Sequence, residues 1–246
     1  MKLGLCIVSL FLAVAATAQD GTLHSSQLAS SLDKFLTAEG EQNTDTQKFL
    51  AFAEDLSAGN KGSLYTLFAK THQRFLLDFD ESASLSETLR TGKYNCLTAT
   101  ILYSLLLEQN HFNYRVIETN YHIFVVVQTE KGLVLLETTD PANGFIDDPT
   151  EVQARLQSYR QDALLQPTVS TGQSAYTFKK RIYRIVTLDQ LTGLLLYNQA
   201  IRAVNNSELK SAREFLIKSK TYYTSQRTEE LMTLIDALDS RVLPSF

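Results

Sequence analysis

A thiol, an imidazole and two carboxylates follow one another along this chain in an order that suits nucleophilic catalysis. Cys96 opens a long apolar helical pattern, His122 heads a strand-like run, and Glu137 and Asp140 follow the next run. Thiolate is the reactive form, and a free cysteine with a pKa of about 8.5 supplies little of it at neutral pH. An imidazole within hydrogen-bond reach supplies the missing activation, and a carboxylate behind it fixes the ring. A helix start adds roughly half a positive charge in unpaired amides. The same amides, that of Cys96 included, can donate to an oxyanion. Tyr94 and Asn95, just before the thiol, are candidates to line the cleft or support that oxyanion; Asn95 is also a good N-cap. Each residue alone has an ordinary reading: a buried cysteine, a core histidine, loop acids. Their order sets this group apart.

Stepping outward, the elements that carry these residues are legible from periodicity. Leu97 to Leu107 is apolar nearly all round, so the helix beginning at Cys96 is expected to be central and covered by protein. Tyr114 to Glu118, His122 to Val127 and Leu133 to Glu137 read as strands. Upstream, helical spacing runs from Gln27 to Leu56, split by the polar stretch Glu39 to Thr46, and again from Ser63 to Leu77. Gly59 to Gly62 is a loop, Asp78 to Ser86 a polar connection, and Leu85 to Arg90 a short turn or helix. Thr139 to Pro149 reads as a loop, Glu151 to Leu165 as a helix, and Tyr176 to Val186 as a further strand or extended crossing.

Hairpin geometry leaves two ways to place an acid beside the imidazole. A two-residue turn at Glu130-Lys131 pairs His122 with Thr139 and puts Glu137 diagonally on the same face. A three-residue turn with Gly132 left-handed pairs His122 directly with Asp140.

Composition narrows the function classes. A formal charge of -4 over 246 residues argues against nucleic acid, which calls for a basic face. Lys179-Lys180-Arg181 is a small basic run read as an exposed strand face. No cluster has metal-ligand spacing and no glycine-rich phosphate loop appears, so no metal or cofactor is expected. Lys2, the apolar run Leu3 to Ala15 and Ala16-Thr17-Ala18 read as a secretory signal cleaved near Ala18. The run is short of the roughly 20 residues of a membrane span, and no later segment approaches that length, so an exported protein without a span is expected. Cys6 leaves with the signal, and the lone Cys96 is then either buried and inert or kept for its chemistry. His24, His72 and His111 lie outside the constellation.

The helical pattern returns at Leu188. Ala200, Ala212, Leu216 and Ser219 fall where a tetratricopeptide helix pair places its packing residues, and Leu231, Leu234, Ile235 and Leu238 suit a third helix. About one repeat is visible against the roughly three of a stable solenoid, so this part reads as an appendage and a candidate protein-binding element.

Taken together, Gly92-Lys93-Tyr94-Asn95-Cys96, His122-Ile123-Phe124 and Glu137-Thr138-Thr139-Asp140-Pro141 resemble the core of the transglutaminase-like superfamily. The resemblance covers residues 84–144. It implies an α+β, papain-like fold with a central helix on a small antiparallel sheet, and a Cys-His-acid triad. The implied substrate is a peptide or protein carboxamide or peptide bond, cleaved by an amidase or peptidase or passed on by an acyl transferase. Family spacing lands the acid on Glu137, whereas the Asp-Pro pairing common there lands on Asp140. The implied division is a signal peptide at 1–18, a transglutaminase-like domain with N-terminal helices at 19–187, and the helical appendage at 188–246. Family tryptophans are replaced here by Phe124 and Leu133, and the chain has no Trp. That departure supports the other expectation, an inactive binding or scaffold module.

Overall fold

The polar stretch after residue 39 does interrupt the first helical pattern. In the computed structural model, which describes residues 26–41, 44–58, 63–162, 168–171, 174–177 and 182–242, α1 spans 26–39 and α2 Gln47–Ala58. They bury Leu32, Phe35 and Leu36, and Phe49, Phe52 and Ala53 respectively. Helix α3, Leu64–Phe75, starts on Ser63, whose side chain accepts from the Thr66 amide. The proposed leader, the loop at 59–62 and the basic run at 179–181 lie outside the described residues.

The polar connection at Asp78 to Ser86 opens on a strand, and the short turn or helix read at Leu85 to Arg90 is a helix. Strands β1, Asp78–Phe79, and β2, Lys93–Tyr94, pair in parallel around α4, Leu85–Thr91. A capping box joins Ser84 and Glu87 at the start of α4. Gly92 ends it at φ 81°, with the Leu77 side chain 2.7 Å from where a Cβ would sit. Only glycine meets both demands.

Helix α5, Cys96–Gln109, is buried on every side from Leu97 to Leu107, as its lack of a polar face requires. It lies against a five-stranded antiparallel sheet in the order β6-β5-β4-β3-β9. Those strands are β3 Asn113–Thr119, β4 Ile123–Thr129, β5 Gly132–Leu136, β6 Phe145–Ile146 and β9 Tyr183–Val186. Val116, Val125, Val127 and Leu136 face α5. Phe124, Val126 and Leu135 face the opposite way, onto Val152 and Leu156 of α6, Pro149–Asp162. Coverage on both faces explains why Ile123 to Val127 is a continuous apolar run with no alternation. A separate hairpin, β7 Thr168–Thr171 and β8 Ser174–Thr177, completes the strands. The chain is thus α+β, with a helical majority and a small antiparallel sheet.

Helices α7, Leu188–Asn205, α8, Leu209–Tyr222, and α9, Gln226–Val242, follow. The first half of α7 sends Leu191, Leu194 and Leu195 into the main core. Its second half packs Tyr197, Ala200 and Ala203 against Ala212, Leu216, Leu231 and Ile235. Gly193 permits the close approach of α8: a Cβ there would lie 2.2 Å from that of Tyr223, and Ser219 Oγ donates to the Gly193 carbonyl at 2.7 Å. Among the described residues no helix is long and apolar enough to cross a membrane.

Candidate active site

The helix start at Cys96 is built by Asn95. Its Oδ1 accepts from the Leu97 and Thr98 amides, both at 3.0 Å, and its Nδ2 donates to the carbonyls of Glu81 (3.1 Å) and Ala83 (2.9 Å). Thr98 returns the bond to the Asn95 amide at 3.1 Å. The Asn95 amide group is therefore wholly spent on cap and loop. The Asn95 carbonyl takes the Ala99 amide, so of the first-turn donors these bonds leave the Cys96 N–H open. Tyr94 is buried in an aromatic layer, its ring 5.9 Å from Phe79 and 6.3 Å from His72.

The imidazole and its acid stand at one end of the sheet, before β4 and after β5. Thr129 pairs with Gly132 and Val125 with Leu136, so the hairpin turns on two residues, Glu130-Lys131. That register carries Glu137 to the face of His122, and His122 Nε2 is bonded to Glu137 Oε1. Asp140 is not brought there. Its Oδ1 accepts from the amides of Ala142 (3.1 Å) and Asn143 (2.9 Å), which makes it the builder of the loop after β5. Gly144 closes that loop, since a Cβ there would be 2.3 Å from the carbonyl oxygens of Asp140 and Glu137.

The Cys96 sulfur, at the start of helix α5, lies near enough to this imidazole to raise its pKa through hydrogen bonding and charge. Cys96 is part-exposed, and the side chains of His122 and Glu137 are 24% and 12% exposed, so the assembly is shielded yet reachable. Burial opposes the charged imidazole. The hydrogen bonds and negative charges of Cys96 and Glu137 override it and push His122 up to about 10 from 6.5.

Two further residues hold this arrangement, and sequence reading missed both. Tyr159 of α6 donates its phenol to Glu137 Oε2 and lays its ring 4.6 Å from Phe124 and 6.0 Å from His122. Burial and that bond push the phenol well above its ordinary value. The signal was present: Val152, Leu156 and Tyr159 recur at helical spacing in a polar segment. Thr138, fully buried, donates to the Cys96 carbonyl at 3.4 Å and lies 3.3 Å from the Thr100 hydroxyl. It fastens the helix start to the loop that carries Glu137.

No protein-family model, curated protein or solved structure matches the chain. Among the described residues no group of three or more His, Cys, Asp or Glu side chains is placed to hold a metal ion.

Proposed function

We propose that this protein is an exported cysteine hydrolase or acyltransferase on a papain-like, transglutaminase-type core, acting on a carboxamide or peptide bond. The observation that carries the reading is the bond from His122 to Glu137, with Cys96 close enough to the same ring to raise its pKa. An imidazolium beside a sulfur favours the thiolate, the attacking form.

In the reaction the thiolate of Cys96 forms a C–S bond to the carbonyl carbon. The Cys96 N–H, at the helix start, would donate to the resulting oxyanion. His122 gives its proton to the leaving nitrogen as the C–N bond breaks, leaving a thioester and a free amine. His122, now neutral, then takes a proton from water. The new C–O bond expels the thiolate, and that proton remains on the ring. An amine in place of water would yield a new amide. Glu137 orients the ring and balances its charge, and Tyr159 holds Glu137.

Alkylation of Cys96 as a function of pH tests the reading. Rapid labelling at mildly acidic pH, lost in His122→Gln, is expected. Labelling that stays slow until alkaline pH would favour the inactive binding module.

A further inference from the structure

The turn that carries His122 is held from outside by the C-terminal helices. Thr119 to His122 is the link between β3 and β4, closed by the Thr119 amide donating to the His122 carbonyl at 2.8 Å. The Thr119 hydroxyl accepts from the His122 amide at 3.1 Å. The carbonyls of Thr119 and Asn120 face out of this turn. Arg227, one residue into α9, donates to them through Nη2 at 3.4 and 3.5 Å. The same nitrogen lies 3.2 Å from Glu118 Oε1, and the guanidinium sits 5.6 Å over the Tyr197 ring of α7.

Glu118 is 3% exposed at the end of β3 and serves as the anchor. It takes the Tyr223 phenol at 2.7 Å and Arg184 Nε of β9 at 2.8 Å. Arg184 stacks 4.1 Å over Tyr223. The two arginines therefore share one carboxylate but differ in reach. Arg184 ties Glu118 to its neighbouring strand, while Arg227 spans Glu118 and the turn itself.

We propose that Arg227 is a positioning residue for His122, and that through it α9 sets the geometry of the site. The inference rests on the triad reading above and adds a distant contributor to it. The two hydrogens of Nη2 serve the Glu118 carboxylate and the two carbonyls, and the guanidinium over the Tyr197 ring is held in a plane that a flexible lysine ammonium lacks. Losing it removes one donor from those carbonyls and loosens the turn, which Asn120 Oδ1 still ties down by accepting from the Ile182 amide at 2.8 Å. A displacement of about 1 Å at a reacting group can cost roughly a hundredfold in rate.

The test compares Arg227→Gln, the milder Arg227→Lys and, as a matched loss of a Glu118 partner, Arg184→Gln. Two readouts are taken on each full-length chain: hydrogen exchange at the His122 amide, and the pH profile of Cys96 alkylation. Arg227→Gln is expected to speed exchange at that amide and to lower labelling at mildly acidic pH by about ten- to a hundredfold. Arg227→Lys should fall between it and the wild type, and Arg184→Gln should leave both readouts near the wild type. Unchanged exchange in Arg227→Gln, or equal changes in Arg184→Gln, overturns the inference while leaving the triad reading intact. Faster exchange in a protein whose wild type already lacks acid-side labelling overturns the triad reading and the positioning role with it.

Discussion

Among the described residues two histidines are shielded from solvent, His72 buried and His122 partly so, and their surroundings drive them in opposite directions. His72 lies in an aromatic box, its ring 4.7 Å from Phe68 and 5.9 Å from Tyr103, and neither nitrogen has a hydrogen-bond partner among the described residues. Burial pushes it down to about 4, against a weaker pull from Asp140. His122 is also shielded, yet bonds to Cys96 and Glu137 raise it to about 10. Burial sets the cost of charge, and anionic partners decide whether the charge is kept. Of the two, only His122 sits where it can exchange a proton with a nucleophile.

The sharpest way to break the contrast is to remove the imidazole. His122→Gln should cut Cys96 labelling at mildly acidic pH, and any turnover, by about a thousandfold. A rate unchanged from wild type would put Cys96 with the inert buried cysteines. Exchanging the acids separates their roles. Glu137→Gln should lower the same rate by at least about tenfold, because the imidazolium loses its counter-charge. Asp140→Asn keeps an acceptor for the Ala142 and Asn143 amides and should leave the rate alone. A reversed ranking would reassign the third member.

The histidines should also leave opposite marks on stability. An unfolded chain protonates His72 near 6.5 and the folded one only near 4, so this residue costs stability as pH falls through that interval. His72→Phe should remove up to about 3 kcal/mol of that acid limb in urea melts at pH 4 and 7. The raised His122 does the reverse: its contribution is complete below pH 6.5 and is lost as pH rises through about 10. An acid limb that survives His72→Phe would assign it to other groups. The smallest effect is expected from Tyr159→Phe, which keeps the ring on Phe124 and loses the bond to Glu137. About 1 kcal/mol, or a fivefold fall in labelling rate, should be measured.

Much of the site was legible because its parts are local. Asn95 before an apolar run announces the helix start at Cys96, and Glu130-Lys131-Gly132 announces the hairpin. The choice between Glu137 and Asp140 was not legible, because turns of two and three residues both suit that sequence. The paired strands β1 and β2, two residues each, are too short for any periodicity to register. Asp80 joins that ribbon by donating its amide to the Tyr94 carbonyl, and its carboxylate accepts from Lys93 Nζ at 3.4 Å. Tyr159 and Arg227 reach the site across 22 and more than 100 positions of sequence. Nothing in their own neighbourhoods names the partner. Likewise α7 reads as the start of an appendage, yet its first half supplies Leu191, Leu194 and Leu195 to the main core.

The most direct measurement is the ring titration of His122 by nuclear magnetic resonance, in the intact protein and in Cys96→Ser. An imidazole that stays protonated well above pH 7 in the intact chain, and less so once the sulfur is gone, is expected. A midpoint near 6.5 in both proteins would contradict the pairing of sulfur, ring and carboxylate.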